Sequence, residues 1–378
     1  MIRGKSKIAF VVFIILICPR IKSQDIEKSD LEKFQEKYQQ DLNQFNRQND
    51  NSYEIFKKQQ DKQFESFKTE VEKRWQNFKK STRTKFVRYS ESLESRSEID
   101  FEKGVIEVEV QIDEDTKESA QSIEKKVLEE LNAIVSVKDT ESISIVEDQL
   151  PKEILQPKER IFDKNKARKF IQKKKPKKNN VVAKDKKKRA TYSIKVPLVK
   201  NHLSKRAKKY EKIIYAQAER FDLSPSLVMA IIHVESHFNP MARSHIPAFG
   251  LMQLVPESGG RDAYSKLFGK DWIPSDKYLY SPKKNVELGC NYLNILNTVY
   301  FKSITDNSSR ELCVIAGYNT GSGNVSRAFT GKKNVVNASK KINKLTSRKV
   351  KKRLLNRLPY KETKKYLMEV LEKRKLYL

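Results

Sequence analysis

Cysteine is scarce in this chain, with three among 378 residues. That is too few for a disulfide framework, so hydrophobic cores must hold the fold. Cys18 stands near the amino terminus, which leaves Cys290 and Cys313 for the body, both in stretches of helical periodicity. They are expected as two free, buried thiols, with pairing open only if their Cα atoms come within about 7 Å. Long apolar runs are missing too. The stretch from Ile8 to Cys18 is too short for an ordinary membrane span but long enough for the h-region of an export signal, and Arg3, Lys5 and Lys7 precede it. Acidic charge is in deficit: 48 Asp and Glu stand against 78 Lys and Arg, a formal net charge of +30. Such a balance points to an anionic partner. Nucleic acid is not expected, because no recognition helix or stacking-aromatic motif accompanies the basic runs and an exported chain does not meet DNA. Cell-wall peptide carboxylates and lipid head groups are left as candidates, with genome-wide lysine bias as the plain alternative.

Behind the export signal, expected over residues 1–23, lies a repeat. Phe34, Phe45, Phe56, Phe67 and Phe78 recur every eleven residues, and Leu42, Tyr53, Phe64, Trp75 and Phe86 form a second series of the same period. Eleven residues make almost three helical turns, so both series share one face of a nearly straight helix, expected over 24–90. At helical rise some 55 residues span about 80 Å. An aromatic seam this narrow wants a partner: a second copy of the chain through residues 34–86, the protein's own body, or a bilayer surface.

The period then changes to two. Ile106, Val108, Val110 and Ile112 alternate with Glu107, Glu109, Gln111 and Asp113, the pattern of a strand with one buried face. Ile123, Val127, Leu131 and Ile134 follow at helical spacing, and Ser142 to Val146 reads as another strand. A small α+β domain is expected over 91–163, for positioning or binding rather than chemistry. From Lys164 to Arg189, fourteen of twenty-six residues are Lys or Arg, which predicts a disordered tether over 164–190.

The last domain is expected over 191–378. Tyr192, Ile194, Val196 and Leu198 suggest a short strand, and helices are predicted over 205–221, 223–238, 286–301, 310–318 and 361–373. One carboxylate stands out. Ser224 and Pro225 resemble an N-cap and first-turn proline, Asn239-Pro240 closes the segment, and Val228, Ile231, Ile232 and Glu235 fall at i, i+3, i+4 and i+7. Desolvation there raises a carboxyl pKa, as a general acid near neutral pH requires. The alternative is a structural glutamate satisfied by backbone amides.

From Glu235 the chain reads ESHFNPMARSHIPAFGLMQLVP and later VIAGYNTGSGNV, with GGRDAYSKLFG, NVELGCNYLNILNTVYF and Glu362-Thr363-x-x-Tyr366 beyond, and RSEIDFEKGVIEVEV upstream. These segments resemble the membrane-bound lytic murein transglycosylase C family over most of the mature chain. The resemblance implies a mainly α protein: a C-terminal α-helical, lysozyme-like domain, preceded by the small α+β domain and the long N-terminal repeat helix. It also implies a peptidoglycan lytic transglycosylase acting on the β-1,4 bond between N-acetylmuramic acid and N-acetylglucosamine. In such a lyase one glutamate, here Glu235, is acid and then base, the substrate's acetamido group stabilises the anomeric centre, and a 1,6-anhydromuramyl end results. No cofactor is expected, and the signature loops hold no second acid. Family members are often lipoproteins of the outer membrane. Here bulky Ile17 precedes Cys18 and Pro19 follows, so a lipid anchor, cleavage after Ser23 into the periplasm, and an uncleaved anchor all stay open.

By the same resemblance Ser244 contacts the acetamido group, and Gly250, Leu251, Met252 and Gln253 form a loop beside the acid. Tyr318 and Asn319 match the family's Tyr-Asn pair, with Gly317 and Thr320 where alanines are common, and Tyr366 matches a cleft tyrosine. Met252 offers a polarizable wall to a sugar ring or simple packing, Ser244 a contact or a turn, Tyr366 a cleft or a core position, and Phe249 a face for stacking. His233 and His237 have a zinc-capable i, i+4 spacing, but Glu235 lies two residues after the first histidine instead of directly after it. No metal is therefore expected, and the histidines read as surface or cleft groups tuning the glutamate. A non-catalytic wall-binding or scaffolding protein is the competing function.

Overall fold

The computed structural model describes residues 62, 64–156, 162–182, 184–244 and 248–378. The chain divides into two units, Met1–Gln63 and Phe64–Leu378. Apart from residue 62, all the described residues belong to the second. The expected export signal, Cys18, and the repeat positions Phe34, Leu42, Phe45, Tyr53 and Phe56 fall outside them. Among the described residues no helix is long and apolar enough to cross a membrane.

Helix α1 covers 64–74, and there the repeat helix stops. Residues 75–90 were expected to continue it. Instead Trp75 is buried and donates through Nε1 to the Leu93 carbonyl at 2.8 Å, with the Arg96 guanidinium 4.0 Å from its ring centroid. Phe64 and Phe78 meet edge to face at 5.4 Å, and Phe78 stacks on Tyr89 at 6.2 Å. In this part the seam closes on the protein's own body. Eleven-residue spacing specifies one face only while the helix lasts, and packing of Trp75 against the sheet prevails over helical continuation.

That sheet has five antiparallel strands: β1 (Lys85–Tyr89), β2 (Ser95–Asp100), β3 (Val105–Asp113), β4 (Lys177–Val182) and β5 (Lys188–Pro197), in the order β1-β2-β3-β5-β4. The alternation read from the sequence sits in β3, where Ile106, Val108, Val110 and Ile112 are all buried and oppose Val196, Ile194, Tyr192 and Ala190. Helix α2 (Ala120–Val135) covers the buried face with Ile123, Val127, Leu131 and Ile134. Ser142 to Val146 is no strand; it makes one isolated bridge, Lys138 with Ser144, before a 3-10 turn.

The basic stretch is ordered, against expectation. Helix α3 (Lys164–Lys174) is capped by the Asp163 carboxylate, which accepts from the Asn165 and Lys166 amides, and it buries Ala167 and Ile171 at i and i+4. β4 follows as an edge strand whose lysines face water while its backbone pairs with β5. A composition count registers the charges; it does not register a backbone ladder, which needs no apolar side chains. The strand through Tyr192, Ile194 and Val196 therefore belongs to the first domain's sheet, and the expected boundary at 190/191 cuts through β5.

Helices make the rest: α4 (His202–Arg220), α5 (Pro225–Ser236), α6 (Arg261–Phe268), α7 (Asp276–Leu279), α8 (Pro282–Ile295), α9 (Asn307–Thr320), α10 (Ser322–Thr330), α11 (Val335–Ile342), α12 (Ser347–Arg357) and α13 (Lys361–Arg374). Cys290 and Cys313 lie buried and unpaired in their core. One arginine joins the two parts. Arg206, 1% exposed, donates to the Phe101 carbonyl at 2.8 Å, to Gln149 Oε1 at 2.6 Å and to the His237 carbonyl at 3.0 Å. Its burial without a close carboxylate depresses its pKa to about 10.

Candidate active site

Helix α5 is buried on every side, from Ser226 to Ser236. The expected stripe of Val228, Ile231, Ile232 and Glu235 is inside, but so is the rest, as befits a helix apolar all round. Pro225 begins it. It ends two residues before the sequence suggested, because His237 and Phe238 turn left-handed at φ 52° and 58°. Glu235 is thus next to last, where the carbonyl end of the helix also disfavours a carboxylate. Its exposure is 6%, and burial pushes its pKa from 4.5 up to about 7. Tyr366 and the Arg83 cation pull the other way, and Glu362 adds a smaller push.

Tyr366, on α13, is buried, and its hydroxyl acts on Glu235 as a donor without forming a well-shaped hydrogen bond to any described residue. Tyr318, on α9, donates to the Met252 carbonyl at 2.8 Å. Burial pushes its phenol well above 10, and the charge of Glu235 adds to this. Both tyrosines are therefore neutral donors around the acid at any working pH. Asn319 follows on the last turn of α9, half-buried.

The loop beside the acid hangs from α5 and α8. Ser236 Oγ donates to the Leu251 carbonyl at 2.7 Å. Asn285, fully buried on α8, accepts from the Met252 amide at 2.7 Å and donates to the Phe249 and Leu279 carbonyls at 2.8 and 2.9 Å. Gly250 has φ +75°, and a Cβ there would stand 2.3 Å from the Leu279 carbonyl oxygen. Gln253 donates to the Ala242 and Gly250 carbonyls at 3.0 Å each, while its Oε1 is buried without a partner among the described residues. Ser244 is half-buried, its amide bonded to the Ala248 carbonyl at 3.1 Å.

Two expected sugar surfaces turn inward. Met252 is fully buried with Sδ against Gly289, where a Cβ would approach it to 2.2 Å, so it packs beneath the loop. Phe249 is 3% exposed and packs edge to face on Tyr280 at 5.5 Å, leaving no free ring face for stacking. An apolar side chain next to a glycine turn reads alike for lining and for core, and only packing separates them.

His233 and His237 are no surface pair. Their rings meet at 5.0 Å, His233 Nδ1 lies 2.9 Å from the Tyr377 hydroxyl, and burial lowers their pKa values to about 3 and about 4. The groups that act on Glu235 are Tyr366, Arg83 and Glu362, not these imidazoles. Among the described residues no three His, Cys, Asp or Glu side chains gather as a metal-binding group, and His245 lies outside them.

Comparison with known proteins bears on this arrangement. A family model described as the transglycosylase SLT domain matches residues 212–341, which contain Glu235 and its loop. A second, described as the membrane-bound lytic murein transglycosylase C N-terminal domain, matches residues 38–209, the part that supplies the sheet. Over both matched regions the chain is similar to the membrane-bound lytic murein transglycosylase C family. Proteins of that name from Cronobacter sakazakii and from Klebsiella pneumoniae are each 41% identical to it over 189 residues, covering 50% of this chain and 52% of theirs. The chain thus spans about half the length of the curated relatives it matches. A solved structure of an inactive mutant of lytic transglycosylase Slt from Pseudomonas aeruginosa aligns with 44% of this chain and 23% of its own, at 25% identity and a TM-score of 0.33.

The sequence left three residues around the acid and its loop unassigned. Arg83 comes from the loop before β1, its Nη1 3.8 Å from Glu235 Oε2. Asn285 holds the loop, and Glu362, noticed only as part of a motif, is an exposed carboxylate on α13. A buried asparagine on a helical face was the one signal for Asn285. For Arg83, one cation among many lysines and arginines, there was none.

Proposed function

We propose that this chain is a peptidoglycan lytic transglycosylase, cleaving the β-1,4 bond between N-acetylmuramic acid and N-acetylglucosamine. The observation that supports this most is the Glu235 carboxyl, buried at a helix end and pushed up to about 7, with Tyr318 and Tyr366 beside it. In its protonated form, still well populated near neutral pH, Glu235 gives its proton to the glycosidic oxygen as the bond to the muramyl C1 breaks, and the N-acetylglucosamine 4-hydroxyl leaves. The acetamido oxygen closes on C1 and holds the cationic centre. Glu235, now a carboxylate, takes the proton of the muramyl C6 hydroxyl, whose oxygen displaces the acetamido oxygen from C1. A 1,6-anhydro ring forms, no water is consumed, and the glutamate ends protonated as it began.

Gln253 and Asn319 line the sugar side in this reading, and Ser244 receives the acetamido group. The relatives' name places them at a membrane, and with the export signal this supports an envelope location, in the periplasm or attached to the outer membrane. Digestion of purified murein is the test. Release of anhydromuropeptides by the wild type but not by Glu235→Gln sustains the reading. Reducing-end products would mean an ordinary muramidase, and no products would favour a glycan-binding or scaffolding protein.

A further inference from the structure

We propose that Arg83, carried by the N-terminal sheet domain, is a positioning residue for Glu235, so that both halves of the chain complete the reaction site. The inference deepens the transglycosylase reading and rests on it. Its first support is the approach of Nη1 to within 3.8 Å of Glu235 Oε2, between a side chain 41% exposed and one 8% exposed. Its second is that the loop bearing Arg83 is fixed from both domains. The Thr82 amide donates to the Lys85 carbonyl at 2.9 Å, and the Phe101 amide donates to the Thr84 carbonyl at 2.8 Å, so the loop is held to the sheet on either side of Arg83. From the other domain, Asn239, fully buried three residues past the helix, points Nδ2 at the Arg83 carbonyl at 3.4 Å.

Phe101 ties these contacts together. Its amide holds the Arg83 loop while its carbonyl accepts from the buried Arg206, which also binds the His237 carbonyl two residues beyond Glu235. The same guanidinium thus sets the distance between the loop and the end of α5. A surface arginine meeting a carboxylate by chance would not be expected to have its backbone secured in this way.

The chemistry asks for such a cation. When Glu235 gives up its proton a negative charge appears in a pocket walled by Tyr318 of α9 and Tyr366 of α13, with Glu362 of α13 opposing it. Arg83 is the positive group that faces this carboxylate. Half-exposed, it offsets the burial only in part, which leaves Glu235 protonated enough to start the reaction and anionic enough to finish it. It also orients the carboxylate without contacting the reacting sugar atoms.

The experiment compares wild type, Arg83→Gln and Arg83→Lys on purified murein, following kcat and kcat/KM on both sides of neutral pH. Losing the cation favours the protonated acid, so the alkaline limb of kcat/KM should move to higher pH in Arg83→Gln and return in Arg83→Lys. kcat should fall roughly fivefold in Arg83→Gln with KM little changed, as fits the loss of a half-exposed ion pair. An alkaline limb that stays with the wild type, or an Arg83→Lys protein as displaced as Arg83→Gln, overturns the proposal. Should Arg83→Gln fail to fold by thermal melt, Arg83→Met takes its place: an alkaline limb displaced to higher pH sustains the idea, and one that coincides with wild type sinks it. Wild type without anhydromuropeptides would refute the underlying reading instead, which the first digest reveals.

Discussion

The hydroxyl of Ser236 donates to the carbonyl of Leu251 at 2.7 Å, across fifteen residues of chain, and so hangs the glycine loop on the helical turn that carries Glu235. Ser236 is fully buried, and its hydroxyl lies 3.0 Å from the Ile232 carbonyl as well. Replacing it by alanine leaves the Leu251 carbonyl without this partner in a dry environment, at a cost of about 1–3 kcal/mol. Ser236→Ala should therefore unfold earlier in denaturant with an unchanged slope, and it should lose murein-cleaving activity by more than its stability loss explains. Activity equal to wild type in the folded variant would mean that the loop does not depend on this bond.

Glu235 makes stability depend on pH in a direction opposite to most carboxylates. Its folded pKa, about 7, lies above the ordinary 4.5, so the unfolded chain releases the proton first as pH rises. Stability contributed by the neutral carboxyl is complete below about 4.5, declines between about 4.5 and 7, and is lost above that window. Glutamine stays neutral throughout. Glu235→Gln should match wild type in acid and exceed it by roughly 3 kcal/mol above neutrality. Thermal melts of both proteins across that window check the prediction, and parallel curves would contradict it.

Gly250 supplies a conformation that other residues adopt at a cost. Its φ of +75° is left-handed, and an added Cβ would meet the Leu279 carbonyl oxygen at 2.3 Å, a backbone atom held in place by Asn285. Gly250→Ala should lower stability by about 1–3 kcal/mol from the backbone conformation alone, with the clash adding to it. The loop should shift and activity fall sharply. A melting temperature within error of wild type would show that the turn relaxes freely.

Several elements could be read before folding because they rest on local regularities. The two-residue alternation of β3, the spacing of Ile123, Val127, Leu131 and Ile134, and the proline-started helix around Glu235 each state their own geometry. Strands β1 and β2 and helices α6, α7, α10, α11 and α12 lack such a signal over enough residues. The basic stretch misled for a different reason: β4 is held by backbone pairing with β5, and its exposed lysines look the same in a strand as in a tether.

The sequence by itself determined that an acidic group would lie among apolar neighbours, since periodicity places a side chain on a buried face whatever the helix packs against; the loop and tyrosines beside it were implied by the family resemblance, not by spacing. Only the tertiary structure decided that Met252 and Phe249 turn inward, that Arg206 locks the two domains together, and that Arg83 reaches the acid. Those contacts join residues up to 152 positions apart. Nothing near either residue in the chain encodes a distance that depends on how the sheet docks against the helices.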